Sequence, residues 1–188
     1  MSIIVDVGTR LAERLKSERE ARGWSLAELA DRSGVSKAMI SKVERGESSP
    51  TAALLVKLSG ALQLTMSALL AEPDRPSSRL QRADRQPRWV DPETHYLRRQ
   101  VYAGELPIEL VEVELPAGAV VEAPASAYRF TGHLIVGLEG ELTFVEGDLV
   151  HRLGPGDCLQ LGPPADCRFE NRSGAACRYL VAVIRKAM

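Results

Sequence analysis

Two helix starts lie close together in this chain, and the little that separates them constrains the fold more than any other feature. Ser25-Leu26-Ala27-Glu28 is a capping box, in which the serine hydroxyl takes a free amide and Glu28 reaches back to the cap. The helix it opens turns Leu26, Leu29 and Ala30 inward and ends at Ser33-Gly34. Ser36 caps the next helix, whose apolar side is Met39, Ile40 and Val43 and which ends near Gly46. Only Gly34-Val35 and the Ser36 cap stand between the two, with small Ala30 where the helices must approach. A turn that tight makes the pair a helix-turn-helix.

The neighbouring residues complete a small helical unit. Thr9 to Arg22 places Leu11 and Leu15 on a helical repeat and stops at Gly23. Ser49-Pro50 reads as a cap with proline at the first helical position, followed by Leu54, Leu55, Leu58 and Leu62. Thr65 caps a last short turn through Leu70. Residues 1–71 are therefore expected to form one five-helix domain. Residues 72–90 carry three prolines and five arginines with few large apolar side chains and read as a linker. From residue 91 to 188, β-branched and aromatic runs alternate with Gly and Pro, the grammar of short strands.

Composition fits this division. The chain has 188 residues, 45% hydrophobic and 26% charged, which is ordinary for a globular protein with room for two small domains. The formal net charge of −1 excludes a uniformly basic coat, but it is unevenly spread: the first 71 residues and the connector are each net positive, and the remainder is acidic. Polyanions are thus expected to meet the first part only. No run approaches the ~18 apolar residues of a membrane span, and Met1 to Asp6 lacks the basic start and apolar core of a signal peptide. The cysteines are three, Cys158, Cys167 and Cys177, an odd set that suits a reducing cytoplasm better than a disulfide framework.

The stretch WSLAELADRSGVSKAMISKVERGESSPT resembles the helix-turn-helix of the phage repressor/Cro, or XRE, family. Leu29-Ala30, Gly34-Val35-Ser36, Ile40-Ser41, Glu44-Arg45-Gly46 and Pro50 fall in register, and the likeness covers residues 9–70. It implies a lambda-repressor-like bundle whose third helix enters the DNA major groove by its N-terminal end. Ser36, Lys37, Ala38, Ser41 and Lys42 would project there, and Arg45, at the helix end, would contact phosphate. Lys37 and Lys42 can donate to guanine or to phosphate. The family's pairing of a helix-one arginine with the glutamate of the third helix maps onto Arg19 and Glu44, a structural pair. Where the family often places Gln after the cap of helix two, this chain has Leu26.

In the second half, Ile108 to Leu115 mostly alternates, with Glu109, Glu112 and Glu114 expected outward and Val111, Val113 and Leu115 inward. HLIVGLEGELTFVEGD and LGPGDCLQLGPPADCRFENRSG resemble the two motifs of the cupin family, around Gly140-Glu141 and Pro155-Gly156-Asp157. The resemblance implies a closed jelly-roll β-barrel able to hold one small molecule. It also implies the place of a metal set, and the set is depleted. The family's His-x-His falls in Ala125-Ser126-Ala127-Tyr128, His133 replaces its Glu, and Cys167 replaces its second-motif His. Metal sites normally need three or more protein ligands, so neither a metal nor another cofactor is expected. Tyr128, Phe130, His133, Cys167 and Phe169 are the candidate wall of an organic-ligand pocket.

The whole reads as a multidomain α + β protein: a cytoplasmic DNA-binding transcription regulator, a repressor by family default, working as a homodimer on a double-stranded operator. Its cupin module would sense a small-molecule effector. The alternatives are a metal-dependent cupin enzyme carrying a DNA-binding head, and an accessory interaction protein with no operator of its own.

Overall fold

A computed structural model describes residues 3–71 and 79–185. Five helices come first: α1 (Ile3–Ala21), α2 (Leu26–Ser33), α3 (Lys37–Glu44), α4 (Ala52–Leu62) and α5 (Met66–Leu70). Both halves of the expected capping box form, with Glu28 N donating to Ser25 Oγ and Ser25 N to Glu28 Oε2. Gly34 ends α2 in the left-handed region at φ +66°, where a side chain would be strained. Leu15, Leu29, Ile40, Leu55, Leu58, Leu62 and Leu69 are all fully buried at the centre of the bundle.

Two helix boundaries differ from the sequence reading. α1 begins at Ile3, a turn or more before Thr9. The cap of α4 is Thr51 and not Ser49: its hydroxyl accepts from Leu54 N, and Pro50 is buried ahead of the cap. A second acceptor explains the shift. Asp91 Oδ1, far along the chain, takes the Ala52 N–H at 2.7 Å.

Ten strands follow: β1 (Arg88–Val90), β2 (Leu97–Ala103), β3 (Ile108–Leu115), β4 (Val120–Ala123), β5 (Thr131–Glu139), β6 (Leu142–Glu146), β7 (Leu149–Leu153), β8 (Cys158–Gln160), β9 (Cys167–Glu170) and β10 (Cys177–Arg185). One sheet has the order β1-β2-β3-β10-β5-β8 and the other β4-β9-β6-β7, with antiparallel pairing between the neighbouring strands. Of the expected connector 72–90, residues 72–78 lie outside the described residues, while Arg88–Val90 is already a strand. Gly140, at φ +69°, turns β5 towards β6 where a Cβ would come within 3.0 Å of Cys177 Cβ.

The expected closed jelly-roll barrel does not form. Closure requires edge strands to hydrogen-bond across the gap. Here β1 and β8 are three residues long, each committed to one neighbour in its own sheet, and among the described residues no ladder joins the two sheets. Side chains fill the space instead, as in a sandwich. Val111, Val113, Leu115 and Tyr179 of the larger sheet share one core with Leu142, Phe144 and Cys167 of the smaller. Phe169 of β9 stacks on Tyr179 of β10 at 5.7 Å, a direct bridge between the sheets.

The alternation of β3 is also corrected. Glu109 is in phase with Val111, Val113 and Leu115 and is 3% exposed, so it points inward with them. β3 alternates without a break, and the register shifts on its neighbour β2 instead, between Gln100 and Tyr102.

The helical bundle is docked on the sheets. Trp89 of β1 packs against both cores and meets Tyr96 edge-on at 5.6 Å. The 3-10 turn Ala125–Tyr128 and strand β4 lie against α4. With the Asp91 cap on α4, these contacts leave a shared cavity between bundle and sheets.

Candidate functional site

The helix-turn-helix presents a polar edge. On α3, Ile40 and Val43 are buried against the other helices, and Val35 in the turn is buried with them. Their spacing leaves Ser36, Lys37, Ala38, Lys42 and Arg45 exposed and Ser41 half-buried. The Ser36 hydroxyl accepts from Met39 N, which fixes where the helix begins. Lys37 and Lys42 bracket the exposed face, and the first turn carries no acidic side chain. Arg45 is already engaged: its guanidinium donates to the Ser41 hydroxyl and, through Nε and Nη2, to both carboxylate oxygens of Glu47 at 2.6 and 2.7 Å. That pairing holds the Arg45 guanidinium above and the Glu47 carboxyl below their usual ranges. Sequence reasoning passed over Glu47, although its place two residues after Arg45 carries the signal.

Behind this edge, Arg19 of α1 clamps the end of α3. Its Nε and Nη2 donate to the two carboxylate oxygens of Glu44 at 2.7 and 2.8 Å, and Nη1 donates to the Trp24 carbonyl. Only 11% of the arginine side chain and 6% of the glutamate side chain are exposed. The bidentate hydrogen bond to Glu44 raises the arginine's pKa, so the guanidinium stays charged despite its burial. Trp24 in turn lies under the guanidinium of Arg32, 4.3 Å from the ring centre. The geometry fixes the angle of α3 without using any of its exposed side chains.

The second site is the cavity between bundle and sheets, about 1450 Å³. Tyr128, Phe130, His133 and Phe169 are on its wall; Cys167 is not. Tyr128 and His133 meet edge-to-face at 5.0 Å. Cys167 is buried behind them, its thiol donating to the Ala165 carbonyl at 3.3 Å. Burial pushes that thiol up to about 11, which keeps it neutral. Tyr128 and Tyr179 are likewise pushed well above the ordinary phenol value, mainly by burial.

The polar groups of the wall are largely ones that the sequence did not single out. Arg98 of β2 and Glu109 of β3 both face the cavity, with Tyr96 and Tyr179 beside them. Arg98 donates to the Ser67 hydroxyl of α5, and Glu109 Oε1 accepts from Thr65 Oγ1 at 3.0 Å. Burial pulls the Arg98 guanidinium below its usual value, and the nearby Glu109 charge opposes that shift. The phase of Glu109 with three inward apolar residues was the available signal for its position. Arg98 had none, because β2 interrupts its own alternation at the bulge.

The residues present do not fit the cupin metal set. Ala125, Ser126 and Ala127 bring no donor side chain of the required kind, Cys167 is off the cavity wall, and no group of three His, Cys, Asp or Glu suited to a metal occurs among the described residues.

A helix-turn-helix head with a polar exposed edge, mounted on a module of two antiparallel sheets, has the build of a DNA-binding regulator. Residues 15–69 match the Helix-turn-helix (HTH_3) family. The chain is 32% identical over 142 residues to the HTH-type transcriptional regulator SutR of Escherichia coli K12, covering 73% of this chain and 74% of that protein. It is 37% identical over 65 residues to the regulator SinR of Bacillus licheniformis, covering 34% of this chain and 59% of that one. In three dimensions it is similar along nearly its whole length to an HTH_3 family transcriptional regulator from Vibrio cholerae. The TM-score is 0.81 at 24% identity, covering 97% and 99% of the two chains. The chain belongs to the HTH-type transcriptional regulators. All three of these relatives are transcriptional regulators. Among the described residues no helix is long and apolar enough to cross a membrane.

Proposed function

We propose that this regulator reads a double-stranded operator through α3 and answers to a small molecule held between head and sheets. Ser36, Lys37, Ala38, Ser41 and Lys42 meet base edges in the major groove, and Arg45 exchanges Glu47 for a phosphate. The observation that carries the reading is the division of α3: its apolar residues are spent on the bundle, and its serine and lysine side chains face away from the rest of the protein. One head offers few base contacts, so the regulator works in the cytoplasm as a homodimer, with heads about one helical turn, ~34 Å, apart. Residues 1–71 form the DNA-binding unit, the stretch from 72 to the start of β1 the link, and β1 with 91–188 the sensing and pairing unit. Binding of the effector alters how the head sits on the sheets, to the extent that the ligand prefers one arrangement. Repression is the sign favoured by the family resemblance.

The test is fluorescence anisotropy with DNA from upstream of the protein's own reading frame, against scrambled DNA, across a range of salt. Phosphate contacts make both affinities fall with salt, and base contacts keep the upstream DNA ahead at every concentration. Equal affinity for both DNAs throughout would overturn the reading.

A further inference from the structure

Buried polar atoms are nearly always satisfied, so a cluster of unsatisfied ones asks for an occupant. Among the described residues, four buried side-chain atoms have no hydrogen-bond partner: Arg14 Nε, Glu109 Oε2, Thr131 Oγ1 and His151 Nε2. The first three belong to residues on the wall of the cavity between bundle and sheets. Glu109 is the most demanding. It is 3% exposed, and its second oxygen faces neither Thr65 nor any other donor. Its closest cation, Arg185 Nε, stands at 3.8 Å from the other oxygen.

The same cavity holds a half-buried positive group, Arg98, close enough for the Glu109 charge to influence its ionisation. The two are not within ion-pair distance, and each is held by a hydroxyl of the α5 segment, Ser67 for the arginine and Thr65 for the glutamate. Opposite charges in one low-dielectric space, each with spare hydrogen-bonding capacity and neither neutralising the other by contact, set terms for a ligand. A simple anion would satisfy Arg98 but leave Glu109 Oε2, which Arg185 does not reach, without a donor. A simple cation would do the converse. A molecule bearing both charges satisfies both groups.

We infer that the cavity is a binding site for a small zwitterion, with an acid group on Arg98 and an ammonium group on Glu109 Oε2. The inference rests on the proposal that the sheet module senses a small molecule, and it names the chemistry. It also supplies a route to the head. The ligand competes for the two side chains that now hold Ser67 and Thr65, so occupancy loosens α5 from the sheets. Thr131 Oγ1 supplies a further polar contact at the rim of the charged pair.

The experiment uses the full chain and three pools of compounds built on one set of side chains: α-amino acids, the carboxylic acids lacking the amino group, and the amines lacking the carboxylate. Melting is followed for each pool, and DNA binding is followed in parallel by anisotropy. The amino-acid pool should raise the melting midpoint, at concentrations roughly tenfold or more below those at which either single-charge pool acts. Glu109→Gln should abolish that advantage, and Thr131→Val, which conserves shape, should weaken it less. Equal shifts by all pools, a shift by the acids or amines alone, or no shift by the amino acids would each overturn the inference in the wild-type protein, whatever the variants do. The DNA arm separates the two claims. Melting shifts without a change in DNA binding would sink the sensing role and keep the zwitterion site. DNA release by acids or amines, with amino acids inert, would do the reverse.

Discussion

The reading edge of α3 and the cavity beneath the bundle are built by opposite rules. The edge is local. Its side chains come from one stretch of ten residues, Ser36 to Arg45, oriented by a cap, a helix period and a left-handed glycine. The cavity is assembled from afar. Arg98, Glu109, Tyr128 and Phe169 arrive on different elements, and the hydroxyls that hold the first two belong to the other half of the molecule. Groups that must meet an external duplex can be displayed by a single helix. Groups that line a cavity between two units have to be gathered from both, and the hydroxyls of the α5 segment join them here.

The contrast is open to attack first at the clamp behind the edge. Arg19→Ala should destabilise the protein by about 3–5 kcal/mol, since it strands the buried Glu44 carboxylate. Denaturant unfolding measures it, and a loss within ~0.5 kcal/mol would mean that α3 is held by packing alone.

A smaller effect sharpens the same comparison at the junction. Asp91 accepts from Ala52 N and, through its other oxygen, from Thr94 N and Thr94 Oγ1. Asp91→Ala should cost about 1–2 kcal/mol, the range for a lost helix cap. The amides of α4 should also exchange with solvent faster than those of α2. Unchanged exchange at α4 would detach the bundle's stability from the sheets.

The smallest effect concerns the thiols. Cys167 and Cys177 are buried and both pushed up to about 11, so near neutral pH they are almost wholly protonated. A raised thiol pKa means less thiolate at a given pH and slower alkylation. A maleimide at pH 7 should therefore label the folded protein once, at exposed Cys158, with the other two sites reacting on unfolding. Rapid labelling of Cys167 in the folded protein would show that the wall between it and the cavity opens.

How far the sequence could be read follows the same line. The helical half was legible because its signals are short-range. Ser25, Glu28, Gly34, Ser36 and Thr65 do what their residue types do in any helix, and Arg19 with Glu44 followed from the family resemblance. The cap of α4 was misplaced because its second acceptor, Asp91, is supplied by the tertiary fold. The strands around Gly140 were legible from turn residues, but closure was not. Whether two sheets join depends on the reach of edge strands such as β1 and β8, and alternation carries no information about that. Tyr128, Phe130, His133 and Phe169 were placed together by the cupin resemblance; Glu109 was legible only from its phase with Val111, Val113 and Leu115, and Arg98 only once the bundle came down on the sheets.

The central claim is that the exposed face of α3 discriminates between DNA sequences, and it is tested most directly by binding of the Lys42→Ala and Ser41→Ala variants to upstream and scrambled DNA at fixed salt. The account predicts a loss of about 1–3 kcal/mol in discrimination wherever the side chain reaches a base, with affinity for scrambled DNA changed far less. Discrimination left intact in both variants would contradict it.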